Sequence, residues 1–66
     1  MNVTINGQKT ELTGADTLAA ALKQLGYDNQ SVAVALNDEF VPRSAYAQTK
    51  VNENDSLEIV APISGG

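Results

Sequence analysis

The first residues alternate apolar and polar side chains with the period of a half-buried β-strand. Residues 1–5 carry their apolar side chains at the odd positions, which places them on one face of a strand. Asn6-Gly7 follows at once, and this dipeptide suits a two-residue type I′ turn because both positions accept a positive φ. A returning strand over residues 8–12 then completes a predicted β-hairpin.

A single amphipathic helix is predicted after the hairpin. Its apolar positions share one helical face through their i, i+3, i+4, i+7 spacing: Leu18, Ala21, Leu22 and Leu25. Either Asp16 or Thr17 is suited to the N-cap, and Gly26 fits the C′ position, where φ is usually positive. We therefore expect a helix over residues 17–25.

The second half of the chain predicts three more strands. Residues 31–37 alternate larger apolar side chains with alanine, so both sides are apolar, as in an interior strand. Asn37-Asp38 turns the chain into a short strand over residues 39–41, which Pro42 ends because proline cannot donate to a ladder. Residues 56–61 alternate again and predict the last strand.

These elements predict an α+β fold with one helix on one face of a mixed sheet of four or five strands. The helical crossover should make residues 32–36 run parallel to a hairpin strand, and Tyr46 is expected to pack on the core as a lid. One core is predicted from the two strand faces and the helix face: Val3, Ile5, Leu18, Leu22, Leu25, Val34, Leu36, Leu57 and Ile59.

Composition narrows the function classes. The chain has 66 residues, which predicts a single domain over residues 1–66 with one thin core. It has no Cys and no His, the residues that supply most metal ligands and general bases, so we expect no metal site and no enzyme. The net charge of −4 disfavours nucleic acid as a partner. Membrane-spanning and targeting patterns are not found, so a cytoplasmic protein is expected.

The Gly65-Gly66 end is the least ordinary feature, although composition alone is equally consistent with a frayed, functionless end. Glycines lack a Cβ and can enter a narrow channel of another protein. The chain from Ala61 to Gly66 can extend roughly 16–18 Å, which would carry an ionised carboxylate into a partner's buried site. Its attack on a nucleotide phosphate requires cations that this chain cannot hold, so a partner must supply them.

Several motifs together identify a resemblance that covers essentially the whole chain. They are Ala35-Leu36-Asn37, the block from Glu39 to Arg43, Tyr46, Asn54-Asp55, and the tail Pro62-Ile63-Ser64-Gly65-Gly66. With these residues the chain resembles the ThiS family of bacterial sulfur carriers in thiamine thiazole synthesis. The family often has Trp in place of Tyr46 and Gly in place of Asn54. The resemblance implies the ubiquitin-like β-grasp fold.

The resemblance also implies a mechanism. An adenylating enzyme related to the ubiquitin-activating kind would use ATP and Mg²⁺ to convert the Gly66 carboxylate to an acyl adenylate. Sulfur from a persulfide enzyme would then displace AMP and leave a thiocarboxylate, which a thiazole synthase would use. The chain itself would hold no stable cofactor. Gly65, Ser64 and Ile63 would occupy the partner's channel, and the tail over residues 62–66 is expected to be flexible in the free protein.

A partner-binding surface is predicted on the outward side of the sheet, where Ala33, Ala35, Phe40 and Val60 should form one apolar patch. An exposed apolar patch rimmed by charge often marks an interface, and the family docks through this face. Glu58, in contrast, is assigned to the solvated surface.

Three other functions stay open from the sequence. The chain could carry sulfur for molybdopterin or another sulfur metabolite, since the fold and tail would be the same. It could be a protein modifier that forms isopeptide bonds through Gly66. It could also be an interaction module with an incidental Gly-Gly end.

Overall fold

The computed structural model describes residues 1–27 and 31–61. Within them, one five-stranded sheet carries one α-helix on one face, which confirms the predicted α+β architecture. The elements in chain order are β1 (Asn2–Ile5), β2 (Gln8–Glu11), α1 (Leu18–Gln24), β3 (Ala33–Leu36), β4 (Glu39–Val41), a 3₁₀ helix (Arg43–Gln48) and β5 (Ser56–Val60).

The last strand of the chain occupies the middle of the sheet, whose order is β2-β1-β5-β3-β4. β5 pairs parallel with β1 and antiparallel with β3. β3 therefore runs in the same direction as β2, as the crossover predicted. It pairs with neither hairpin strand, however, because β5 lies between them.

Both hairpins turn through two residues with positive φ. Asn6 and Gly7 have φ of 50° and 84°, and Asn37 and Asp38 have φ of 50° and 70°. These values are those of a type I′ turn, whose twist matches that of the strands it joins. The predicted turn positions are thus confirmed, the second one without a glycine.

Thr17, one of the two predicted N-cap candidates, begins the helix. Its backbone is extended, and its side-chain oxygen accepts a hydrogen bond from the Ala20 N–H at 3.2 Å. This bond satisfies one of the N–H groups that have no partner within the helix.

Gly26 ends the helix in the left-handed conformation, with a φ of 89°. Its N–H donates to the Lys23 carbonyl at 3.1 Å, and the Tyr27 N–H donates to the Leu22 carbonyl at 2.8 Å. This pair of bonds is a Schellman motif, which a glycine at C′ permits at no steric cost. The predicted end of the helix is therefore confirmed.

The core lies between α1 and the inner face of the sheet. Its buried members are Val3, Leu12, Ala15, Leu18, Ala21, Leu22, Val34, Val41, Val51, Leu57 and Ile59. Three residues predicted to be in the core, Ile5, Leu25 and Leu36, are only half-buried and pack against its edge. Each lies at the end of its element, where fewer neighbours from the opposite layer can cover it.

Leu12, Ala15 and Val51 are buried although they were not predicted in the core. Leu12 was placed at the end of the predicted strand over residues 8–12, but β2 ends at Glu11. All three residues lie in connecting segments outside the helix and strands. Tyr46 packs on the core as the predicted lid, and its hydroxyl donates to the Val32 carbonyl at 3.1 Å.

We expect Leu22→Ala to lower the free energy of unfolding by roughly 2–5 kcal/mol, because the side chain is 3% exposed and its loss leaves a cavity. Urea unfolding followed by circular dichroism measures this change. Lys23→Ala, at the next and exposed helix position, is the control and should change stability by no more than about 0.5 kcal/mol. Equal effects of the two substitutions would contradict the placement of the helix face.

Candidate functional site

The predicted reacting end of the chain lies outside the described residues. Gly66 was assigned the reacting carboxylate, and Gly65, Ser64 and Ile63 were assigned to a partner's channel. The last described residue is Ala61, which follows β5 directly and is exposed. The structure therefore defines the base of this segment and the sheet face beside it.

The four residues of the predicted partner-binding surface do come together on the face of the sheet opposite α1. Ala33 is paired with Val60 across β3 and β5, and Ala35 is paired with Phe40 across β3 and β4. Phe40 is 70% exposed and Val60 is 66% exposed, and these are the large hydrophobic side chains most exposed to water in the described residues. We name these four residues the outer patch.

The outer patch forms one side of a shallow groove with a volume of about 400 Å³. Four further residues that the sequence did not assign to the site also line this groove: the core residues Val34 and Ile59, and the polar residues Asn6 and Glu58. Glu58 is paired with Ala35 in the ladder, so its side chain lies on the same face as the patch. The alternation of β5 placed Glu58 outward, but the sequence did not show that apolar residues would surround it.

Asn6 holds the end of β5 through its side chain. Its Oδ1 accepts a hydrogen bond from the Ile59 N–H at 2.8 Å, and its Nδ2 donates to the Ile59 carbonyl at 3.1 Å. Two backbone hydrogen bonds precede this point: the Thr4 N–H donates to the carbonyl of Asp55, just before β5, and the N–H of Asn6, just after β1, donates to the Leu57 carbonyl. Residues 55, 57 and 59 thus all bond towards β1, and the Asn6 side-chain amide supplies the bonds to Ile59.

This arrangement explains why an asparagine suits the turn. β1 leaves the sheet at Asn6, so the backbone groups of Ile59 on that side would otherwise lose their ladder partners. A side-chain amide offers one donor and one acceptor, as a peptide group does. Glycine would accept the φ of 50° equally well but would leave Ile59 unpaired. The base of the tail is consequently fixed relative to the outer patch.

The remaining polar groups near β5 serve the structure of the turns. The Asp55 carboxylate accepts hydrogen bonds from the Asn52 N–H at 2.7 Å and from the Asn37 side-chain amide at 3.1 Å. Among residues 1–27 and 31–61, no three His, Cys, Asp or Glu side chains come together as a metal site would require. In the same part of the chain, no helix has the length and apolar character needed to cross a bilayer.

Comparison with known proteins gives one family. The sequence model described as the ThiS family matches residues 3–66. The sulfur carrier protein ThiS of Escherichia coli is 30% identical over 66 residues, which is the full length of both chains. A thiazole synthase of Paramagnetospirillum magneticum is 48% identical over all 66 residues, but the chain spans only 20% of that relative's length.

A solved structure of a ThiS protein has the same fold as this chain. The crystal structure of the thiamine biosynthesis protein ThiS from Geobacter metallireducens superimposes with a TM-score of 0.81. Its sequence is 32% identical, and the match covers both chains completely. The five-stranded mixed sheet with one helix is therefore the ubiquitin-like β-grasp fold.

We expect Asn6→Gly to weaken the β1–β5 connection, because it keeps the backbone conformation and removes both bonds to Ile59. Stability should fall by roughly 1–3 kcal/mol, and hydrogen exchange of the Ile59 amide, followed by NMR, should become faster. Asn54→Gly is the matched control: its φ is also positive, at 70°, and its bond to Asn2 uses the backbone N–H. Unchanged Ile59 protection in Asn6→Gly would contradict the assigned role.

Proposed function

The chain belongs to the ThiS family, and from this membership we propose that it carries sulfur for thiamine biosynthesis on the carboxylate of Gly66. One structural observation supports this proposal most directly. Val60 is exposed in the outer patch at the end of the central strand, and the chain continues from it through Ala61 towards Gly66. A protein that covers the outer patch therefore contacts the base of the segment that bears the reacting group.

The proposed chemistry places one reacting group on this chain and the rest on its partners. A carboxylate oxygen of Gly66 attacks the α-phosphorus of ATP and displaces pyrophosphate, which gives an acyl adenylate. Adenylation is needed because AMP is a good leaving group and oxide is not. The terminal sulfur of a persulfide then attacks the acyl carbon and displaces AMP. A thiol then attacks the sulfur that belongs to the persulfide enzyme and forms a disulfide with it, which breaks the bond to the acyl sulfur and leaves the thiocarboxylate on Gly66.

The cations for this reaction belong to the adenylating enzyme. A carboxylate and the phosphates of ATP repel one another, and Mg²⁺ with basic side chains offsets that repulsion. The groove residues of this chain are apolar except for Asn6 and Glu58, and neither is a cation. The chain is accordingly a small carrier, and ATP and Mg²⁺ are bound by its partner. Because the reaction consumes ATP, we place it in the cytoplasm.

Three partners follow from the proposed cycle: the adenylating enzyme, an enzyme that supplies the persulfide, and a thiazole synthase that accepts the sulfur. The relatives support the thiazole synthase as a partner, since two proteins named thiazole synthase contain a region similar to this entire chain. The names of the relatives favour the thiamine pathway over molybdopterin synthesis and over protein modification.

Removal of Gly66 is expected to reduce thiocarboxylate formation by roughly 10²-fold or more, because the new terminal carboxylate of Gly65 falls about 3.3–3.6 Å short of the reacting phosphate. Intact-mass spectrometry after incubation with ATP, the adenylating enzyme and a persulfide donor measures the exchange of oxygen for sulfur. Circular dichroism should show the truncated chain folded. Thiocarboxylate formation at the rate of the full chain would contradict the role of Gly66.

Gly65 substitutions test the proposed channel separately from the reach of the carboxylate. Gly65→Val keeps the chain length but adds a branched side chain, so we expect it to block entry while Gly65→Ala loses less activity. The same mass measurement compares the two variants. Equal activity of Gly65→Val and the unchanged chain would show that residue 65 does not pass through a narrow channel.

Val60→Asp is expected to weaken binding to the adenylating enzyme and to leave the isolated fold nearly intact, because Val60 is 66% exposed at the apolar patch. Calorimetric titration measures the binding. Ser56→Asp adds the same charge to an exposed position of the same strand and does not line the groove, so it serves as the control. Unchanged affinity in Val60→Asp would remove the outer patch from the interface.

A further inference from the structure

Glu58 is the charged residue among those that line the groove beside the outer patch. It lies on the central strand, is exposed, and is paired with Ala35, which is in turn paired with Phe40 on the far side. Val60 follows it on the same face of β5. None of the four basic residues of the chain, Lys9, Lys23, Arg43 and Lys50, lines this groove.

A partner that covers the outer patch must also cover the neighbourhood of Glu58. Removing water from a carboxylate is costly unless an opposite charge or hydrogen-bond donors replace the lost hydration. The described neighbours of Glu58 in the groove are apolar, apart from the Asn6 amide, whose hydrogen bonds go to Ile59. The compensating charge or hydrogen-bond donors must therefore come from the partner.

The acidic residues around the outer patch favour a partner whose surface carries positive charge. Asp38 and Glu39 are exposed and directly precede Phe40 in the β3–β4 turn and strand. With a net charge of −4, the chain would be attracted by a surface with a basic rim. An enzyme that brings a carboxylate and the phosphates of ATP together has to concentrate cations near its binding site.

We propose that Glu58 is the charge-specific contact of this surface, and that it pairs with an arginine or lysine side chain of the adenylating enzyme while the outer patch is covered. The proposal rests on the proposed function, because that function names the partner. The apolar residues supply the area that is removed from water. The carboxylate sets the orientation and discriminates against surfaces that lack a matching cation.

The test compares Glu58→Gln with Glu11→Gln in ATP-dependent modification by the adenylating enzyme. Glu11 is exposed and paired with Asn2 on the same sheet face, but it lies on the edge strand β2, away from the groove. The two variants lose the same charge. We expect Glu58→Gln to raise KM roughly 10-fold or more, with little change in kcat, since the contact acts in docking. Glu11→Gln should behave like the unchanged chain.

Salt dependence gives a second measurement. The affinity of the unchanged chain should fall as NaCl is raised, and that of Glu58→Gln should fall less because a charge pair has been removed. Equal KM values for the two variants, or tighter binding of Glu58→Gln, would overturn the assignment of Glu58 while the unchanged chain is still modified. If the unchanged chain neither binds the enzyme nor gains sulfur, the proposed function itself fails, and the named partner with it.

Discussion

Leu18 and Leu22 of the helix belong to the same buried core as Leu57 and Ile59 of the central strand, and this shared core organises the molecule. A domain of this size has only one α-helix among its described residues with which to cover a five-stranded sheet. The helix covers one face, and within residues 1–27 and 31–61 no second layer packs on the opposite face. The exposed side chains of Phe40 and Val60 are a direct consequence. The surface available for a partner is therefore set by the same limit on size that leaves the domain a single core.

β5 is both the last strand of the chain and the central strand of the sheet, and its position is held by hydrogen bonds from neighbouring segments. Two turn asparagines with positive φ hold it near its two ends. Asn37 accepts a hydrogen bond from the Ser56 N–H at 2.9 Å, and Asn6 accepts one from the Ile59 N–H at 2.8 Å. In each case one residue supplies both the backbone conformation of a tight turn and a side-chain bond to β5. This double requirement gives a physical reason for asparagine that glycine, the other residue suited to such a φ, does not meet.

Sequence periodicity predicted most of the fold because the strands and the helix each repeat with their own period. The Asn6-Gly7 turn, the end of the helix at Gly26 and the outward side of β5 were all predicted from local signals. Val51 was not predicted as buried, since it follows no period, and Leu12 lies one residue beyond the end of β2. The bonds from Asn6 to Ile59 join residues far apart in sequence, so they depend on a register that no local pattern contains. The apolar surroundings of Glu58 were missed for the same reason.

The outer patch and the core are two results of one register. Neighbouring residues of a strand point to opposite faces, so a shift of β5 by one residue would exchange Ile59 with Val60. Such a shift would place Glu58 in the core and remove Val60 from the patch. The burial of Leu57 and Ile59 therefore fixes the positions of Glu58 and Val60 on the outer face as firmly as it fixes the core. The packing of the core therefore sets the geometry of the surface proposed for docking. Contacts among the exposed residues of that surface are not needed to hold it.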